Sequence, residues 1–145
     1  MRTAYRVLAL LVVAGVVVQA GSIAMGFFGV FHEVDDGGAI TSSFDWESNL
    51  GVMVHRFNGF GTLLWSLALL VVSFFVRTPG ATRRALAVLG LLVLQIALLF
   101  PAFGVAASWG ALHGVNALVL LGAALHAARR VDRVRDEPAR ELAAA

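Results

Sequence analysis

The chain has no cysteine. That excludes disulfides, thiolate metal sites and the thioether attachment of a c-type heme. Charge is also scarce: 14% of residues are Asp, Glu, Lys or Arg, where a soluble domain carries about a quarter, and 59% are hydrophobic. The shortage is concentrated. Val7–Val30, Phe57–Val76 and Ala85–Ala128 hold no charged residue at all, which makes the bilayer the expected solvent. No nucleophile–base pair, phosphate-cradling glycine loop or zinc motif occurs anywhere, so these residues point to no particular enzyme chemistry and leave that question open.

What is present reads as membrane architecture. A span needs roughly 20 apolar residues at ~1.5 Å rise each. Pro101, Gly104 and Ser108–Gly110 divide the longest run, which predicts transmembrane helices over about 7–30, 54–76, 85–103 and 109–128. Residues 1–130 then form one all-α integral-membrane domain with an external loop at 31–53, followed by a charged cytoplasmic tail at 131–145. Val18-Gln19-Ala20 after a basic start resembles a signal-cleavage site, but the apolar run continues to Phe31, too long for a signal. An uncleaved span is expected.

The arginines fix the orientation. Arg2 and Arg6 precede the first span, Arg77, Arg83 and Arg84 separate the second from the third, and Arg129, Arg130, Arg133, Arg135 and Arg140 follow the fourth. All fall on one side of a four-span topology, and the positive-inside rule makes that side cytoplasmic. The 31–54 loop instead carries Glu33, Asp35, Asp36, Asp45 and Glu47 and no arginine. A multi-pass plasma-membrane protein with both termini inside is expected. Its basic excess reports orientation and some contact with anionic lipid, not nucleic acid.

The spans carry an internal likeness. VVVQAGSIAMGFFGV (16–30) resembles LVLQIALLFPAFGV (92–105), with Gln19 and Gln95 mid-helix, and HRFN (55–58) matches HGVN (113–116). Two tandem helical hairpins, packed as an up-down four-helix bundle, are the expected fold. His55 and His113 then lie about 5 Å below the outer surface on spans related by a pseudo-twofold axis, facing one another at matched depth. Two opposed imidazoles suit axial ligation of one iron porphyrin, and bundle cores are where such sites are built. Gly59, one turn below His55, and Ala117, one turn below His113, leave room for a flat macrocycle.

A ligating histidine usually donates its other ring N–H to a fixed acceptor. Asn58 and Asn116, carbonyls of the first and third spans, and loop carboxylates are the candidates. Arg56 stands alone on the external side, either to meet heme propionates or to pair with Asp45 or Glu47 at the interface. His32 borders the acidic loop and reads as solvated; His126 has no counterpart on the second span, which argues against a second heme.

These segments resemble a known family. VMVHRFNGFG (52–61) and GALHGVNALVLLG (110–122) are similar to FxxHRxxG-like and LHxxN-like segments of small four-span actinobacterial proteins of an uncharacterised family. The arrangement also resembles one half of a heme A synthase, whose two four-helix halves each carry a histidine pair. The likeness covers nearly the whole chain and implies a heme-holding bundle, with His55 and His113 as the ligands carried over. It does not imply heme A synthesis: Val52 stands where the synthase has the Glu of Glu-x-x-His, and the paired loop cysteines are missing.

Three functional readings follow. The first is a b-type cytochrome-like protein holding heme b through His55 and His113, with Arg56, Asn58, Asn116 and Gly59 around it and a quinone or redox protein as electron partner. The second is a heme-free structural or accessory membrane protein whose His and Asn residues lock the bundle. The third, a transporter or quinone-binding protein, calls for deep ionisable residues that the spans lack, and ranks last.

Overall fold

A computed structural model describes the backbone of residues 1–144 and the side chains of residues 1–131. It is all-helical among the described residues: α1 (Arg2–Asp35), α2 (Leu50–Ser73), α3 (Ala81–Ala97), α4 (Leu99–Gly104) and α5 (Trp109–Ala144). Four segments are long and apolar enough to cross a membrane: Arg2–Asp35, Leu50–Ser73, Ala81–Gly104 and Trp109–Val131. Large apolar side chains along them lie exposed, including Phe28, Leu64 and Leu118. In water such a surface promotes association; in lipid it needs no partner.

Helix ends follow local chemistry rather than the limits of the apolar runs. α1 runs through the charged residues Glu33 and Asp35 of its last turn because its stop signal is Gly37, in the left-handed conformation at φ 90°. Gly38 N–H reaches the Glu33 carbonyl at 2.8 Å and Gly37 N–H the Val34 carbonyl at 3.0 Å, the paired bonds of a Schellman cap. The third span is interrupted at Leu98, between α3 and α4. Pro101 explains the position: it has no N–H to give the Ala97 carbonyl four residues back, and its ring crowds that carbonyl.

The chain divides into two compact units, Ala14–Thr62 and Met1–Val13 with Leu63–Ala145. In the first, α1 and α2 approach closely enough to require glycine. A Cβ added at Gly51 would overlap the backbone of Gly26, and one at Gly15 would strike Thr62 Oγ1, the small-residue contact expected of membrane helices. Asn49 fixes the entry to α2: Oδ1 accepts from Val52 N–H at 3.1 Å as an N-cap, and Nδ2 donates to the Gly26 carbonyl at 2.9 Å.

In the second unit α3 packs on α5. Ala81, Ala85, Val88 and Leu92 form the buried stripe of α3, and Leu120, Ala124, Ala127 and Val131 that of α5. Both stripes step by three and four residues, one face of a helix. Tyr5 is fully buried and donates its hydroxyl to the Ala81 carbonyl at 3.0 Å, tying the start of α1 to the start of α3.

Candidate functional site

In the Ala14–Thr62 unit, His55 Nδ1 lies 3.0 Å from the Gln19 carbonyl oxygen. A carbonyl can only accept, so Nδ1 carries the proton, and in the neutral ring Nε2 holds the lone pair. One turn further along α2, Asn58 Nδ2 donates to the Gly15 carbonyl at 2.8 Å. Donors three residues apart on α2 meet acceptors four residues apart on α1, as two antiparallel helices allow. Thr62 Oγ1 extends the chain by donating to the Asn58 carbonyl at 2.8 Å.

The other unit repeats both bonds with the same offsets. His113 Nδ1 lies 2.9 Å from the Gln95 carbonyl, and Asn116 Nδ2 donates to the Leu91 carbonyl at 2.9 Å. The glutamine side chains differ, however. Gln95 Nε2 donates to the His113 carbonyl at 2.9 Å, and its Oε1 accepts from Asn116 Nδ2 at 2.6 Å. Gln19 Oε1 is buried without a partner among the described residues, and its Nε2 lies over Gly59, 2.8 Å from where a Cβ would stand.

The acceptors for both imidazoles are thus carbonyls of the first and third spans, one of the three expected kinds. Asn58 and Asn116 bond those helices directly, to the Gly15 and Leu91 carbonyls. Gly59, expected as room for a macrocycle, lies beneath the Gln19 amide. Arg56 Nη1 pairs with Glu47 Oε1 at 3.3 Å, with side chains 61% and 74% exposed. So exposed a pair contributes about 0–1 kcal/mol. His32 is exposed, as expected beside the acidic loop.

Sequence reasoning missed several participants. Asn49, directly ahead of α2, carried an N-cap signature that would have found it. The Gly15 and Leu91 carbonyls carried none. Among the described residues, no group of three or more His, Cys, Asp or Glu could hold a bare metal ion; an axially ligated porphyrin asks for only two protein donors. No protein-family model, curated protein or solved structure matches the chain.

Proposed function

We propose that this chain is a multi-pass plasma-membrane protein of two tandem hairpins, forming an up-down bundle with both termini cytoplasmic, that binds heme b through His55 and His113. One observation carries the reading: each imidazole gives Nδ1–H to a backbone carbonyl of the preceding span. That bond fixes tautomer and ring orientation and raises the basicity of Nε2, the second-sphere arrangement metal-ligating histidines use. The donor set therefore fits axial ligation. Bound heme would supply one-electron chemistry, with a redox protein or quinone as partner. Asn58 and Asn116 hold the helices that present the rings, and Arg56, exposed beside His55, has the charge to meet propionates.

A second reading, a heme-free accessory protein with its hairpins locked by polar contacts, draws on the Gln95–Asn116–Leu91 network, which needs no ligand to be complete. One pair of substitutions separates the two. In His55→Asn and His113→Asn the new amide keeps a donor near the Nδ1 position while Nε2 is lost. Heme ligation predicts split reduced α/β bands in the detergent-purified protein from heme-replete cells, and their loss in both variants with thermal stability retained. A colourless, stable wild-type protein would sink the heme reading and leave the lock.

A further inference from the structure

The second unit holds a cavity of about 280 Å³ lined by Thr78, Pro79, Arg83, Arg84, His126 and Arg130. A single water takes roughly 30 Å³, so a tetrahedral oxyanion fits with hydration to spare. We infer that this cavity is a binding site for a phosphate group, either a phospholipid headgroup or free phosphate.

Three arginines line it from two helices. Arg83 and Arg84 stand in the first turn of α3, while His126 and Arg130, four residues apart, share a face of α5. Among the residues of this unit whose side chains are described, Met1–Val13 and Leu63–Val131, there is no Asp or Glu. Arg84 is positioned without a carboxylate, its Nη2 donating to the Pro79 carbonyl at 3.0 Å. α3 also begins at Gly80, in the left-handed conformation at φ 72°, with no side chain capping its N-terminus; Ala81 N–H donates to the Thr78 carbonyl at 3.1 Å, and the positive end of the helix adds to the local potential.

Independent evidence comes from Thr78. It is 5% exposed and lines the cavity, and its Oγ1 is buried with no hydrogen-bond partner among the described residues; Arg84 Nε shares that condition. Buried donors normally find acceptors, and both belong to residues that line the cavity. The chemistry favours phosphate over carboxylate: several guanidinium forks and a threonine hydroxyl match three or more acceptor oxygens. Basic pockets between membrane helices take phospholipid headgroups by this means. The inference is independent of heme binding.

The test uses the full chain in neutral detergent with two probes. Native mass spectrometry compares retained phosphatidylglycerol with phosphatidylcholine, and thermal denaturation compares inorganic phosphate with chloride at matched ionic strength. Arg83→Gln/Arg130→Gln should reduce phosphate-dependent binding about tenfold or more, as loss of charge-assisted bonds implies. Thr78→Val, isosteric and relieved of a buried hydroxyl, should fold and lose binding several-fold. Arg77→Gln/Arg129→Gln removes the same charge outside the cavity and should retain binding. Response to phosphatidylglycerol alone assigns a headgroup; response to inorganic phosphate as well assigns a free-phosphate site. Equal losses in both double variants, full retention in Thr78→Val, or no wild-type response to either probe overturns the site.

Discussion

Asn116→Ala offers the sharpest test of how the His-x-x-Asn motif holds helices together. Asn116 is 7% exposed, and its Nδ2 serves both the Leu91 carbonyl and Gln95 Oε1. Inter-helix hydrogen bonds within a membrane average about 0.6 kcal/mol and reach about 1.7. Truncation removes two of them and strands Gln95 Oε1, a part-buried acceptor whose loss of partner adds about 1–3 kcal/mol. A total of roughly 2–4 kcal/mol follows. Asn58→Ala removes only the bond to Gly15 and strands no side chain, so roughly 0.5–1.5 kcal/mol is expected. Equilibrium unfolding in mixed micelles of increasing dodecyl sulfate fraction reads both values. A double-mutant cycle of Asn116→Ala with Gln95→Leu should give a coupling of about 1 kcal/mol or more. Equal costs for the two asparagines, or coupling within error of zero, would refute the reasoning.

Three further outcomes follow from the contacts. Gly51→Ala should destabilise the Ala14–Thr62 hairpin by more than about 2 kcal/mol, because the new methyl meets the backbone of Gly26, which cannot turn aside; thermal melts in detergent check it. Gly15→Ala should also destabilise, but Thr62→Ala in the same chain should restore much of the loss, since the obstacle is the Thr62 side chain. Arg56→Ala should change stability by less than about 1 kcal/mol, and that small effect should shrink in 0.5 M salt.

The spans were legible because uncharged runs of that length have few other solutions, and the split of the third was legible in Pro101. The ends of α1 were not, since helices stop where the backbone is capped, and Gly37 lies beyond the apolar run. The motif itself was visible as spaced letters, yet its partners were only partly so. A backbone carbonyl has no letter of its own: Gln19 and Gln95 stood out for their side chains, while the atoms that meet the imidazoles are their main-chain oxygens. The phosphate cavity was hidden differently. Arg83, Arg84 and Arg130 read as markers of orientation, and the fold brings the α3 start beside His126 on α5.

The two motifs part company at the residue after one more turn, Gly59 in one and Ala117 in the other. Gln95 is drawn toward the His113 carbonyl and Asn116, and alanine stands at 117; Gln19 makes no such bonds and its amide lies across Gly59. The obstacle to a methyl at 59 is therefore the far end of a flexible side chain, not backbone as at Gly51. Gln19 Oε1 has no partner to lose when the amide swings away, and alanine gains about 1 kcal/mol of helix propensity over glycine. Gly59→Ala should accordingly leave stability unchanged or raise it by up to about 1 kcal/mol. If heme packs on this face, the same variant should hold less heme while melting no lower, a combination that a purely structural glycine would not produce. A loss of stability as large as that of Gly51→Ala would show that Gln19 is fixed where it lies, and the argument from side-chain freedom would fail.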